Sequence, residues 1–468
     1  MGHKQGFRVG RTIKHLTRSV VTSVTSSTLN SGFRYLVRPF PRLEENIEVW
    51  VYYLIKFLNR AARSPQGTHQ VRELVQQDSI SGDRQLLIDI SQLIVRDFHT
   101  GVQRVVRSIL LEMLHHPPAG YRVEPVYVHS SGQLFHARAF TNILLKRDVA
   151  NVFDLPVVVN HGDVFYSPDV YLLYPFAIFK ELHQKGLQII FTLYDLTALN
   201  DPEVVTKYLA HAFPDWFRGV LAVADGIVCD SQSVAEELHE WIRQHPASRD
   251  RPLAITFFHL GADIEASNPS YGDSHEGADV LAATNKRPTL LMVGTLTPHK
   301  GYGQVMAAVE VLWRGGIDLN LVIIGREGWR VRALTKYLDL HSERNQRLFW
   351  LNSASDSLLL RLYEHSTALV AASTAEGFGL PIIEAARHGL PIIARDIPVF
   401  REVAGTHAFY FSGDDPEVLA EAIRRWFTLY AEGKTPLSKD IPWLTWSQSV
   451  QQLIRAIIPT ADQKVLRN

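Results

Sequence analysis

From Gln85 onward, short runs rich in Val, Ile and Leu alternate with amphipathic stretches that have helical spacing. Continuous apolar runs of this length are typical of strands that are buried on both faces of a parallel sheet. The alternation stops once, in the turn-rich segment 268–277, and then resumes. We therefore predict an α/β protein with two doubly wound domains that face one cleft.

The predicted elements place a Rossmann-like domain in each half of the chain. Predicted strands of the first half are 86–90, 123–129, 157–159, 188–194, 226–229 and 254–259. Those of the second half are 289–294, 319–325, 348–351, 368–371, 391–394 and 408–411. Predicted helices are 102–115, 202–222, 234–244, 302–313, 355–365, 381–387 and 416–431. The domains are thus expected at residues 81–270 and 286–440. Ligands of such sheets bind at the carboxyl ends of the strands.

Length and composition exclude several other classes of protein. The chain has 468 residues, which is enough for two or three domains. Lys plus Arg and Asp plus Glu both number 48, so the net charge is zero and we expect no nucleic-acid partner. The single cysteine, Cys229, excludes a disulfide framework and favours a reducing, cytoplasmic location. The 20 histidines form no convincing ligand cluster, so we expect no metal. No apolar run reaches the length of about 18 residues that a membrane-spanning helix requires.

The N-terminal region differs from the rest of the chain in charge. Its first 43 residues contain eight Lys or Arg and no acid, and the apolar run 47–58 follows them. We interpret residues 1–80 as a basic and helical accessory region. One interpretation is a basic tail with a helix that packs on the body of the protein. A second is contact of residues 1–58 with an anionic membrane surface, at the inner face of the membrane. A third is an organelle transit peptide.

The most informative motif is a pair of glutamates around a glycine turn. After the predicted strand 368–371, the string E-G-F-G-L-P-I-I-E places seven residues between Glu376 and Glu384. Gly377 and Gly379 allow a close backbone approach, and the following helix is expected to direct free N–H groups at an anion. Carboxylates accept paired hydrogen bonds from vicinal hydroxyls, as sugar recognition requires. The alternative is a solvated Glu376 and a Glu384 that only stabilises the helix dipole.

The E-G-F-G-L-P-I-I-E string resembles the two-glutamate signature of the retaining glycosyltransferases of family four, which have the GT-B architecture. The resemblance extends over roughly residues 86–458. It implies that Glu376 contacts the donor sugar near the reacting centre and that Glu384 holds the nucleotide ribose. Phe378 and Leu380 are expected in the same donor site. It also implies that the C-terminal helix within 443–468 returns to the first domain and completes it.

The loop after the predicted strand 289–294 is a second candidate for donor binding. Gly294 allows backbone to approach a ligand, and Lys300 can neutralise a diphosphate, although a solvated Lys is the alternative. Family members usually carry an Arg soon after this glycine, where Thr295 stands here. The expected phosphate clamp therefore lacks one permanent cation. His299 and Arg326 are candidates to replace it.

Three loops of the first half supply the other candidate residues. Gly101 begins a helix. The resemblance implies that backbone amides of its loop donate hydrogen bonds to the donor phosphate. The alternative is that Gly101 only caps the helix. Arg104, one turn later, faces either the cleft or the core. Asp195 is an acceptor-side or active-site carboxylate, or it caps its loop. The string D-S-Q-S at 230–233 favours a helix cap over a ligand contact.

The expected activity is transfer of a sugar, with retention, from a nucleotide-diphosphate donor of the GDP-mannose type. The expected acceptor is a growing glycan, a polysaccharide or a lipid-linked glycan. Glu376, Lys300 and Asp195 are the expected catalytic residues, and no cofactor is expected besides the donor itself. Two alternatives stay open: a non-catalytic subunit that binds a sugar nucleotide, and a nucleotide-sugar epimerase or hydrolase on the same architecture.

Overall fold

The alternating pattern folds into two separate sheets flanked by helices. The computed structural model describes residues 84–458, with gaps at 96–99, 130–131, 148–151, 247–248, 250, 268–269 and 273–274. The accessory region 1–80, its apolar run and the expected membrane contact through 1–58 lie outside the described residues. Within the described part, no helix has the length and apolar character that crossing a membrane requires.

The first sheet has seven strands in the order β3-β2-β1-β4-β5-β6-β7, and only the edge pair β2 and β3 is antiparallel. This order reverses direction beside β1, as in doubly wound sheets. Its strands are β1 Arg84–Asp89, β2 Tyr121–Val128, β3 Leu134–His136, β4 Val164–Ser167, β5 Gln188–Leu193, β6 Gly226–Cys229 and β7 Ala254–Phe257.

The second sheet has six strands in the order β10-β9-β8-β11-β12-β13, and every pair is parallel. Most of its strand residues are buried, since helices cover both faces. Its strands are β8 Thr289–Val293, β9 Asn320–Ile324, β10 Leu348–Leu351, β11 Ala368–Ala371, β12 Ile392–Arg395 and β13 Phe409–Phe411. Two doubly wound sheets of this kind confirm the predicted fold class.

Helices connect the strands in both domains. In the first domain they are Ser91–Val95, Gly101–His115, Arg138–Leu144, Ala177–Gln184, Thr197–Asn200, Lys207–Val223 and Gln232–Gln244. In the second they are His275–Thr284, Tyr302–Arg314, Arg332–Leu340, Asp356–His365, Leu380–Arg387, Pro398–Ala404 and Pro416–Ala431. The last described helix, Trp446–Ile457, follows the second domain.

Three local predictions differ from the structure. Residues 157–159 form no strand, and the strand of this region is β4, a short run that the sequence pattern did not reveal. The helix predicted at 202–222 begins at Lys207, because the Thr206 hydroxyl accepts a hydrogen bond of 3.0 Å from Leu209 N and caps it there. The turn-rich segment 268–277 already contains the start of the helix His275–Thr284, which packs against β9 and β10.

The C-terminal helix packs against the first domain. It contacts the helix Gly101–His115 and the strands β6 and β7. Its buried apolar side chains recur at helical spacing and are Trp446, Val450, Leu453 and Ile457. The chain crosses back beside Gly261, where an added Cβ would lie 2.7 Å from Trp446 N, so only glycine fits at this crossing.

The backbones after β8 and β9 approach each other too closely for a side chain. A Cβ on Gly325 would lie 1.8 Å from the carbonyl oxygen of Gly294. We expect Gly325→Ala to lower the free energy of unfolding by about 2 kcal/mol or more, because the loop has to move apart. Gly303→Ala is the control, since no atom lies within 4 Å of its added Cβ. Urea unfolding measures both, and equal stability of the two variants would contradict this interpretation.

Candidate functional site

Residues 376–379, called here the glutamate loop, join the second domain to the first at the cleft. A Cβ on Gly377 would lie 2.1 Å from the carbonyl oxygen of Tyr194 and 2.7 Å from Oδ2 of Asp230. The Ser231 hydroxyl donates a hydrogen bond of 2.7 Å to the carbonyl oxygen of Gly377. Only glycine fits here, so the close approach expected at Gly377 is made to the ends of β5 and β6.

Glu376 and Lys300 form an ion pair inside a pocket of the second domain. Lys300 Nζ donates to Oε1 of Glu376, and the Ser373 hydroxyl donates to the same oxygen at 3.0 Å. The two charged side chains are mostly buried, with 24% of Lys300 and 15% of Glu376 exposed. The lining of this pocket also includes Ser373 and Gly379. Two of the three expected catalytic residues thus meet in one concave site.

Glu384 is bound by an arginine of the first domain. Nη1 of Arg104 donates to Oε1 at 2.7 Å, and the Tyr363 hydroxyl donates to Oε2 at 2.7 Å. Burial raises the pKa of Glu384, whereas Arg104 and Tyr363 act in the opposite direction. Glu384 is the fifth residue of the helix Leu380–Arg387, and this position directs its carboxylate to the first domain.

Arg104 spans the cleft. Besides Glu384, its guanidinium binds Oδ1 of Asp356 at 3.2 Å through Nη2. Asp356 accepts two more hydrogen bonds on Oδ2, from the backbone N–H and the hydroxyl of Ser270 at 2.8 and 2.9 Å. Of the two orientations that the sequence left open for Arg104, the structure shows the one toward the cleft.

The loop after β8 contains Gly294, Thr295 and Lys300 in this order along the chain. The carbonyl oxygen of Gly294 accepts a hydrogen bond of 2.6 Å from the Tyr302 hydroxyl. A Cβ on Gly328 would lie 2.9 Å from Cγ2 of Thr295, so the methyl group of Thr295 packs on the loop after β9. Thr295 therefore contributes packing at the position where an arginine was expected.

Neither candidate replacement for the expected arginine is a cation held in the site. Burial and the charge of Lys300 lower the pKa of His299, so its ring is neutral at neutral pH. Its Nδ1 is buried and has no hydrogen-bond partner among the described residues. Arg326 is exposed, and its side chain makes no hydrogen bond or ion pair with described residues.

The helix that begins at Gly101 points its first turn at the second domain. Thr100 caps it, since its hydroxyl oxygen accepts a hydrogen bond of 3.3 Å from Gln103 N. A Cβ on Gly101 would lie 4.0 Å from Cδ1 of Leu380. The loop at Gly101 and the helix Leu380–Arg387, both expected to bind the donor phosphate, therefore contact each other. Phe378 is buried beside the ring of His259, at a centroid distance of 5.4 Å, and does not line the pocket.

Asp195 makes the loop cap that was one of its two interpretations, and it lies near the cleft. Its Oδ1 accepts a hydrogen bond of 2.8 Å from Thr197 N and thereby caps the loop after β5. Its charge also acts on Asp230 and on His299, which lies in the second domain, so Asp195 is close to the cleft.

Glu402 is a residue of this contact that sequence reasoning missed. Its carboxylate accepts hydrogen bonds from the backbone N–H groups of Gln232 and Ser233, at 2.8 and 2.7 Å. His259 Nε2 lies 2.8 Å from the same carboxylate. An acid of the second domain thus neutralises the N-terminal end of a helix of the first domain. No motif surrounds Glu402, so no pattern in the sequence marks it. Among described residues, no group of three or more His, Cys, Asp or Glu is arranged to hold a metal ion.

Comparisons with known proteins agree with this geometry. Residues 275–437 match the family described as Glycosyl transferases group 1. The chain is 41% identical over 390 residues to the serotype-specific mannosyltransferase WbdA of Escherichia coli, a match that covers 81% of this chain and 46% of WbdA. It is 33% identical over 147 residues to the O-antigen chain mannosyltransferase RfbU of Salmonella typhimurium, across 31% of this chain and 40% of RfbU.

Among solved structures, the glycosyltransferase of Rickettsia africae superimposes with a TM-score of 0.54 at 14% sequence identity, over 83% of this chain and 100% of that chain. This likeness concerns the fold. Residues 275–437 therefore form a domain of the group 1 glycosyl transferases, and the two domains together have the GT-B architecture. The chain spans about half the length of the WbdA proteins it matches.

Removal of the Arg104 side chain would leave Glu384 buried without its counter-charge. We expect Arg104→Ala to lower the free energy of unfolding by about 2 kcal/mol. The double variant Arg104→Ala/Glu384→Gln should lose less than the sum of the single variants, because a neutral amide needs no cation. Arg332→Ala, at an exposed arginine, is the control. Strict additivity in thermal or urea unfolding would show that the two side chains are not coupled.

Proposed function

We propose that this chain is a retaining glycosyltransferase that moves mannose from a GDP-mannose-type donor to a growing glycan. The observation that carries the proposal is the Glu376–Lys300 pair in a pocket of the second domain, next to the contact of Gly377 with the first domain. The names of WbdA and RfbU, both mannosyltransferases, support mannose as the sugar. The names of these relatives also favour a polysaccharide or lipid-linked glycan as the acceptor.

The proposed roles follow from the position and the charge of each group. Glu376 accepts hydrogen bonds from hydroxyls of the donor sugar, and Glu384 accepts them from the nucleotide ribose. Lys300 stabilises the negative charge that develops on the leaving diphosphate, together with the N–H groups that begin the helix Leu380–Arg387. The backbone amide of Gly101 adds a further donor from the first domain.

Donor binding in this arrangement requires an exchange of partners. Lys300 is bound to Glu376, and Arg104 is bound to Glu384, so both carboxylates are neutralised without a ligand. A donor would replace these pairs, because its hydroxyls donate hydrogen bonds to the carboxylates and its phosphates accept them from Lys300 and Arg104. The phosphate that leaves is proposed to accept the proton of the attacking hydroxyl on the same face of the sugar. Asp195 lies on the acceptor side, and no metal or cofactor enters the proposed reaction.

One observation favours a second candidate function, a sugar-nucleotide-binding subunit without activity of its own. Thr295 packs against the neighbouring loop where a phosphate-binding arginine was expected, and His299 is neutral. Consumption of the sugar nucleotide that requires an added acceptor glycan would support the transferase over the binding subunit. Release of free mannose without an acceptor would instead favour a hydrolase on the same architecture.

We expect Glu376→Gln to lower the rate of mannose transfer by about 100-fold or more, because the carboxylate contacts the reacting sugar. The fold should persist, since Gln keeps the volume of the side chain. Glu417→Ala, at an exposed acid of the helix Pro416–Ala431, is the control and should keep full activity. Thermal shift with GDP-mannose and UDP-glucose tests the donor separately, because a bound donor raises the melting temperature. Near wild-type transfer by Glu376→Gln would remove this residue from the donor site.

The basic segment 1–43 is proposed to hold the protein at an anionic membrane surface from the cytoplasmic side. We expect its deletion to weaken binding to vesicles that contain phosphatidylglycerol. Vesicles of phosphatidylcholine alone are the control, since they carry no net charge. Cosedimentation measures both, and equal binding of the full and shortened chains would contradict the proposal.

A further inference from the structure

Asp230 is a buried acid at the contact between the two domains. It follows β6, only 3% of the residue is exposed, and its Oδ2 lies against Gly377 of the glutamate loop. Its Oδ1 is buried and has no hydrogen-bond partner among the described residues. A buried carboxyl oxygen without a partner is costly, so its presence at this contact requires an explanation.

The ordinary explanations for an acid at this position do not apply. The helix Gln232–Gln244 is capped by Ser231, whose hydroxyl oxygen accepts a hydrogen bond of 3.2 Å from Val234 N. The backbone N–H groups of Gln232 and Ser233 donate to Glu402 of the other domain. No Lys, Arg or His among the described residues forms an ion pair with Asp230. The carboxyl group therefore neither caps a helix nor balances a cation.

Other acids surround Asp230. Burial is the main cause that raises its pKa well above the usual range, and three carboxylates add to it. These are Asp195 after β5, Glu376 in the glutamate loop and Glu402 on the helix Pro398–Ala404. Lys300 is bound to Glu376 and His259 is bound to Glu402, so neither group pairs with Asp230. The other titratable groups nearby are His299, on which Glu376 and Asp195 act, and Tyr194 and Cys229, on which Asp230 acts.

We propose that Asp230 is a positioning residue that acts as a neutral carboxyl group. In this form it lets the glutamate loop lie directly on the ends of β5 and β6, and it thereby fixes Glu376 beside Lys300. An ionised Asp230 would bring a fourth negative charge to three carboxylates and would repel Glu376, the neighbour of Gly377 in the glutamate loop. This proposal rests on the proposed function in one respect, namely that the position of the Glu376 carboxylate matters for binding the donor sugar.

Asp230→Asn tests the neutral state, because an amide has the shape of a protonated carboxyl and cannot ionise. The expected sign follows from linkage: an acid whose pKa is raised by folding keeps its proton longer in the folded state. The wild type therefore loses stability as the pH rises from 3.8, the ordinary value for Asp, to the raised pKa in the fold. The melting temperature of Asp230→Asn should exceed that of the wild type by a margin that grows over this range, reaching about 2 °C or more.

Asp230→Glu tests the positioning role. Its longer side chain has no space beside Gly377, so we expect it to lower kcat for transfer about tenfold or more while the chain still folds. Asp230→Asn should keep kcat within about threefold of the wild type at neutral pH, because it reproduces the working form. Glu236→Gln, at an exposed acid of the same helix, is the control for both measurements.

The outcomes separate the proposals. Retained kcat in Asp230→Asn, reduced kcat in Asp230→Glu and a pH-dependent stability margin would support the positioning role. A tenfold loss of kcat in Asp230→Asn, wild-type kcat in Asp230→Glu, or a margin that does not change with pH would each overturn it. A wild type that transfers no sugar from any nucleotide donor would overturn the proposed function. The stability comparison needs no substrate and would still decide whether Asp230 is neutral.

Discussion

The direct contact of Gly377 with the first domain is the constraint on which the candidate site depends. Because a Cβ at this position would overlap with the carbonyl oxygen of Tyr194, the two domains approach each other here at backbone distance. Glu376 is the adjacent residue, and its carboxylate is bound within the second domain by Lys300 and Ser373. The loop that supplies this carboxylate is thus also the loop that joins the two domains.

Charges in the cleft are paired across and within the domains before any ligand binds. Lys300 binds Glu376 within the second domain, whereas Arg104 of the first domain binds Glu384 of the second. Each permanent cation therefore neutralises one member of the glutamate pair. A ligand with both hydroxyls and phosphates can satisfy the two kinds of group at once, since it offers donors to the carboxylates and acceptors to the cations. A neutral sugar alone offers the cations no negative charge.

The sequence predicted the parts of the structure that depend on local pattern. Strands β6, β10 and β11 were placed at their observed bounds because each is a short apolar run between turn residues. The glutamate loop was identified because its residues are contiguous. Contacts between distant residues were not predictable: Arg104 and Glu384 are 280 positions apart, and the choice between cleft and core could be made only with the fold in hand. Glu402 lies in no motif, so its hydrogen bonds to Ser233 had no counterpart in the sequence.

Because of burial, the charge of the site differs from the charge that its residue types alone would indicate. His299 was a candidate cation, but burial and the neighbouring Lys300 lower its pKa, which disfavours the charged form of its ring. Asp230 counts as an acid in the composition, yet burial raises its pKa well above the usual range. Both groups feel the other domain, because Asp230 lies against Gly377 and the charge of Asp195 acts on His299. The electrostatics of this site therefore depend on residues of both domains and not on either domain alone.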